Sequence, residues 1–533
     1  MRGSTIMLTV ACVVAVGHAA CSTYGDATND IGSNADGGAG EDAGGLGDGG
    51  GLPDGAPPDG APAQRNDFAD PVLDPGTPVT AVQAAQIFAL SNSAAAGPCL
   101  AEPQIGSLIP KNWMPLRFRV AATQGENLFE IRLVIPNQKS PLVIYTNKDT
   151  FKLDAATWTT ILTHSVGTID VSVRSATLDA GGNRTDGPFR GSQGQIEIAP
   201  IAAHGKVSYF SSSDGSVKRF GVGDLNVQAG STSVDANGTC IGCHSVTPDG
   251  LHAALTLNGG LGGIILRPVG GGTTEPAFLT ASARTLLARN NQHAASFSKA
   301  HWAAGDRTML SMLDVGGTTE IIWTDLEAGS AAGWGIIARD GDVRGAQSAV
   351  MSHDGTKIAY VSATATSSGT ISNNGAIHVV PYNARQGGAA TALVADGSVN
   401  YYPSFSADDA FVAFAKAPGG TSTYNNASAE IWVVPAAGGL PVRLAANDAV
   451  ACLSTPSPGI TNSWPRWSPA VITAGTKKYY FLTFSSTRIG ATRQVFVAPL
   501  VVEGGTLKSY PALYPHNQPE TSANHTPQWS EPL

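Results

Sequence analysis

Four runs between residues 118 and 198 place apolar side chains at every second position: Phe118/Val120, Phe129/Ile131/Leu133/Ile135, Ile169/Val171/Val173 and Ile196/Ile198. A period of two puts one face of a strand in a core and the other toward solvent, so these runs predict half-buried strands. Helical spacing is confined to a short lead-in at Val82–Leu90. Gly and Pro punctuate the runs, and a β-sandwich of about a hundred residues accommodates them.

Beyond residue 200 the pattern becomes a repeat: a polar-aromatic start, a turn, an apolar strand, and a further strand ending in Pro. It reads Ala349-Val350-Met351-Ser352-His353-Asp354-Gly355, Ile358-Ala359-Tyr360-Val361 and Ile377-His378-Val379-Val380-Pro381. It returns from Tyr402-Pro403-Ser404-Phe405 to Pro435 and from Trp464-Pro465-Arg466-Trp467 to Pro499, with fainter copies at Ser296-Phe297-Ser298 and from His244 to Gly250. Repeats of roughly 40–60 residues with several short strands are propeller blades, because one such sheet cannot bury both its faces. His525-Thr526-Pro527-Gln528-Trp529-Ser530 starts a blade that has nothing after it, and the strands at 206–220 lack a start of their own. The two ends are expected to share one blade, which makes six. The expected fold class is all-β: a β-sandwich followed by a six-bladed β-propeller closed by its C-terminal strand.

The Ser-x-Asp-Gly and Val-Val-Pro elements over residues 200–533 resemble the propeller of TolB-like proteins. The resemblance implies a platform for binding a protein or ligand, and a fold alone selects no single task. The stretch Ile105–Trp113, with Trp158, resembles the fibronectin-type or immunoglobulin-like modules that precede propellers, and it implies no chemistry.

The N-terminus adds a destination. Arg2 and the apolar run Ile6–Val16 have the proportions of an export signal over residues 1–21. The segment ending at Cys21 resembles a lipoprotein signal, which implies lipidation of Cys21, although His18 stands where that pattern wants an apolar residue; ordinary cleavage after Ala19 is the other reading. Residues 22–66 are Gly, Asp, Ala and Pro with almost no large apolar side chains, a composition expected to form a disordered spacer. The folded regions are then expected at 67–200 and 201–533. A net charge of −9 argues against a nucleic-acid partner, since phosphate binding needs a basic face. The membrane is reached only through the lipid anchor, on the periplasmic side of the outer membrane or at the cell surface, and a monomer is expected.

Of six cysteines, Cys12 and Cys21 belong to the signal. Cys240 and Cys243, followed by His244, form the Cys-x-x-Cys-His pattern of c-type haem attachment. Two thiols at this spacing reach the two vinyl groups of one porphyrin, and the adjacent imidazole can ligate iron as the proximal ligand. Alignment of the repeats puts His244 where other blades carry Pro403, Pro465 and Pro527, so one haem c is expected over the channel mouth. His525, on the neighbouring blade, is the first candidate for the distal ligand, with Met351 and Met312 behind it. Two other readings stay open: a Cys240–Cys243 disulfide, or a zinc site completed by His252. Cys99 and Cys452 remain as a candidate disulfide that would staple the sandwich to the propeller. No Gly-x-Ser-x-Gly elbow and no His-Glu-x-x-His helix appears, so a hydrolase is not expected. The function expected is haem-based electron transfer or redox or ligand sensing, with a redox partner or envelope protein at the channel mouth; the alternative is a haem-free periplasmic propeller that binds a protein or ligand and carries a Cys240–Cys243 disulfide.

Overall fold

The computed structural model describes residues 64–531 apart from 166, 259–261, 365–373, 422–424, 451, 453–454 and 491. The signal and most of the spacer, with Cys12 and Cys21, lie outside the described residues.

The first domain has two sheets. Strands Arg117–Ala121, Cys99–Glu102 and Thr150–Lys152 form the smaller one; the larger is built around Leu128–Val134, Leu142–Thr146, Thr168–Leu178 and Arg184–Ile198. Their alternating apolar faces meet in one core, where Phe118 and Val120 join Ile131, Ile144, Val171 and Ile196. The lead-in helix, α1 (Ala81–Phe88), starts at a capping box between Thr80 and Gln83. A second helix, α2 (Ala155–His164), which carries Trp158, corrects the expectation that helical spacing ends at Leu90. Asp154 caps α2 by accepting from the Thr157 backbone N–H at 2.8 Å. The indole of Trp158 lies in the same core and donates to the Trp113 carbonyl at 2.7 Å.

Six further antiparallel sheets follow. Blade 1 pairs the C-terminal strand Asn524–Ser530 with Lys206–Ser211, Ser216–Gly221 and Gln228–Ala229. The inner strands of blades 2 to 6 are Ile241–Val246, His293–Ser296, Gly345–Met351, Val399–Phe405 and Asn462–Trp467. Each inner strand contacts the next, and Asn524–Ser530 touches both Asn462–Trp467 and Ile241–Val246, so the ring is closed. Every residue in these six inner strands is buried.

The repeated motif has a repeated physical job. The Ser/Thr hydroxyl at the end of the inner strand donates to the Asp two residues on: Thr247 to Asp249 at 2.6 Å, Ser352 to Asp354 at 2.7 Å and Ser406 to Asp408 at 2.9 Å. The same hydroxyl accepts the backbone N–H of the next strand, from His252, Lys357 and Phe411 respectively. The Asp then reaches the neighbouring blade: Asp249 accepts from the Trp302 indole and Asp408 from the Tyr480 hydroxyl. A second device is a bulge in each inner strand. In five blades it holds a non-glycine residue in the left-handed region, namely Ala294, Ser348, Tyr402, Trp464 and Thr526, at φ of 50 to 62°. The rings of Tyr402 and Trp464 stack across the blade 5–blade 6 boundary, their centroids 3.9 Å apart.

The two domains share a core. Val207, Tyr209, Phe481, Val497 and Trp529 of the propeller belong to the same apolar cluster as Trp113 and Phe118. Arg117 of the first domain donates to Glu520 at 2.7 Å, and a disulfide joins Cys99 to Cys452 across 353 residues of sequence. A loop of that length leaves the unfolded chain much entropy to lose on cross-linking. Cys452→Ser is therefore expected to lower the unfolding free energy by about 3–5 kcal/mol. Guanidinium titration of the oxidised parent and the variant checks this, and coincident midpoints would contradict it.

Candidate functional site

The Cys-x-x-Cys-His segment lies at the innermost strand of blade 2, where it runs against blade 1. Cys240 closes the preceding loop and is half-buried, whereas Cys243 and His244 sit within the strand at 1% and 0% exposure. Matching the blades by their Asp turns puts Cys243 at the bulge position held by Tyr402, Trp464 and Thr526. His244 takes the next position, held by Pro403, Pro465 and Pro527. All four described cysteines are disulfide-bonded. With Cys99 joined to Cys452, Cys240 and Cys243 are the two that remain among the described residues.

The His244 imidazole packs against blade 1. Its Nε2 is 3.0 Å from the Ser208 hydroxyl, and its Nδ1 is buried without a hydrogen-bond partner. Burial, with a smaller push from the Arg466 charge, lowers its pKa to about 4. His525 lies close by on the closing strand, its ring edge-on to Phe210 at 5.5 Å and its Nδ1 likewise unpartnered. Burial again dominates, and the charges of Arg493 and His244 add to it, lowering the His525 pKa to about 3. Both imidazoles are thus neutral at pH 7.

The structure brings Cys243, His244 and His525 into one region, but as wall rather than pocket. Covalent haem attachment consumes two thiols and needs an imidazole nitrogen open to iron. Here the sulfurs are oxidised, Nε2 of His244 is engaged by Ser208, and the inner strands are buried throughout. As folded, these residues do not fit a haem, and His525 faces a phenylalanine ring rather than an open coordination position. Met312 and Met351 are core residues at 0% and 1% exposure. The zinc reading fares no better: His252 stands beside the Phe278 ring, and the described residues contain no group of three or more His, Cys, Asp or Glu able to hold a metal.

Sequence reasoning missed the partners of this region. Ser208 and Arg493 stood out in no motif, and Arg466 appeared only as part of a blade start, so only the matching of blades 1, 2 and 6 around the ring could have pointed to them. It also passed over the open concavity of the turn face, a groove of about 430 Å³ bordered by Lys299, His353, Asp354, Asp408 and Asp409. His353 Nδ1 meets Asp409 at 2.8 Å there, and the backbone N–H groups of His353 and Asp354 donate to the same carboxylate.

The closed ring of six sheets defines the class: a six-bladed β-propeller behind a two-sheet domain. No family model and no curated protein matches the chain. Among solved structures it is similar to TolB from Acinetobacter baumannii, at 15% identity over 69% of this chain and 80% of that one, with a TM-score of 0.34. It is similar also to a TolB from Agrobacterium tumefaciens, at 14% identity over 62% and 99%, with a TM-score of 0.33. The Cps50 (Swd1) β-propeller domain from Myceliophteria thermophila matches at 11% identity over 64% and 92%, with a TM-score of 0.28. At these scores the assignment of the fold rests on the chain's own six sheets.

Proposed function

We propose that this chain is an exported, haem-free binding module whose propeller docks an envelope protein on its turn face, with a Cys240–Cys243 disulfide fastening the inner strand of blade 2. The observation that carries this reading is the burial of every residue in the six inner strands. Side chains fill the wall beside His244 among the described residues, which favours the haem-free reading, and the open concave surface lies at the turns. Oxidation of all four described cysteines supports a compartment outside the cytoplasm. A lipid on Cys21 would then hold the folded part at a membrane surface.

The test is a reduced pyridine haemochrome spectrum, taken on protein exported from a host that matures c-type cytochromes, together with a thiol count. The expected result is a colourless protein with no titratable thiol until it is reduced. A covalent haem that survives acid–acetone extraction and disappears in Cys243→Ala would overturn the reading in favour of an electron carrier.

A further inference from the structure

A cavity of about 50 Å³ opens between the two domains, beside the Cys99–Cys452 bond. Its apolar wall includes Trp113 and Leu116 from the first domain and Ile489, Phe496 and Tyr514 from blade 6. Three arginines, Arg117, Arg119 and Arg488, line it against one acid, Glu102.

The cations differ in what they have left to give. Arg117 is committed on two sides, to Glu102 through Nε at 2.9 Å and to Glu520 through Nη1 at 2.7 Å. Arg488 spends its donors on Ser486, the Ala446 and Asn447 carbonyls and the Asn462 side chain. Arg119 is held more loosely, among the described residues by an ion pair to Glu520 alone. Its Nη1 is buried with no hydrogen-bond partner, and the nearest carboxylate oxygen, on Glu520, is 3.6 Å away. A buried guanidinium N–H without an acceptor is costly, and an anionic oxygen is the acceptor that relieves it most. An apolar wall with one convergent charged donor at a domain boundary is the usual build of a small-ligand site.

We propose that this interdomain cavity binds a small carboxylate, whose oxygen accepts from Arg119 and whose short alkyl tail lies against Trp113, Leu116 and Phe496. The size sets the class: one water needs roughly 10–15 Å³ measured this way, so the space suits a ligand of a few heavy atoms. The inference rests on the binding-module reading and gives it a second, small-molecule ligand.

The experiment titrates the exported protein with acetate, propionate and butyrate at matched chloride in carboxylate-free buffer, following tryptophan fluorescence and the melting temperature. Butyramide serves as the uncharged control. Butyrate is expected to give a saturable response that butyramide lacks, with affinity rising from acetate to butyrate. Arg119→Gln is expected to weaken butyrate by about ten- to a hundredfold, the size of a charge-assisted hydrogen bond, with partial recovery in Arg119→Lys. No saturable response to butyrate, an equal response to butyramide, or unchanged affinity in Arg119→Gln overturns the proposal. The same preparation is read for haem, so failure of the haem-free reading appears as a haemochrome band whatever the titration gives.

Discussion

A chain that stops at Ala523 is expected not to form a stable propeller. The missing strand, Asn524–Ser530, is seven residues long and buried along its whole length. It pairs with Lys206–Ser211, from Lys206 opposite Ser530 to Ser211 opposite Asn524, and supplies the inner strand of blade 1. Its Trp529 side chain joins the core shared by both domains and donates to the His204 carbonyl at 2.8 Å. Loss of a buried tryptophan alone costs about 3–5 kcal/mol. The rest of the strand takes away blade 1's ladder, the contacts to blades 2 and 6, and the cover over an apolar strand edge, which becomes a site for pairing between molecules. Together these exceed the stability of a typical domain, about 5–15 kcal/mol. Size-exclusion chromatography and limited proteolysis of the truncated chain check the expectation: aggregation and rapid cleavage are predicted. A protease-resistant monomer with the parent's melting temperature would show that the ring does not depend on this strand.

Acid is expected to destabilise the fold well before most carboxylates titrate. His244 and His525 are held at about 4 and about 3, against 6.5 in the unfolded chain. The sign follows from which state takes up protons. As pH falls through 6.5 the unfolded chain binds a proton at each histidine while the folded chain binds none, so stability present above pH 6.5 is progressively lost. The loss approaches about 1.4 kcal/mol per pH unit for each histidine, or roughly 5 kcal/mol for the pair by pH 4.5. His301, whose pKa is raised by its contact with Asp306, acts in the opposite sense and offsets part of the fall. His244→Ala isolates the effect, since blades 3 and 4 carry Ala295 and Ala349 at the equivalent position. Urea midpoints at pH 7.5, 5.5 and 4.5 should fall steeply in the parent and less steeply in the variant, where His525 and the half-buried His252, His378 and His516, all with lowered pKa, sustain the remaining fall. Identical slopes would mean that His244 is protonated in the folded state.

The propeller was legible because its evidence is redundant. The Ser-x-Asp turn, the apolar second strand and the terminal Pro recur in blades 4 and 5, and blade 6 repeats enough of them to set the period. The orphan start at His525 could be matched to the orphan strands at 206–220 by counting alone. Helix α2 was not legible on the same grounds. Its Thr157, Thr159, Thr160 and Thr163 favour strands, and only three large apolar residues, Trp158, Ile161 and Leu162, mark its buried side. Its one local signal was Asp154, a capping residue just before the first turn. The Cys-x-x-Cys-His segment shows a different limit. Spacing along the chain says that two sulfurs and an imidazole can reach one porphyrin, but not that the segment runs inside a buried strand with Ser208 against the ring. That depends on how blade 1 meets blade 2, and blade 1 is assembled from parts of the chain far apart in sequence.

The shared first blade also governs when the molecule can become whole. The Trp529 indole and the His204 carbonyl it meets are 325 residues apart. Contacts of such range form late, because the entropy of closing the loop is lost before the contact returns anything. Blades 3 to 6 can stack as neighbouring hairpins, but the circle has no seal until its most distant partners find each other. Were the chain exported as proposed, this delay would be useful, because the polypeptide would stay threadable until its most distant partners met.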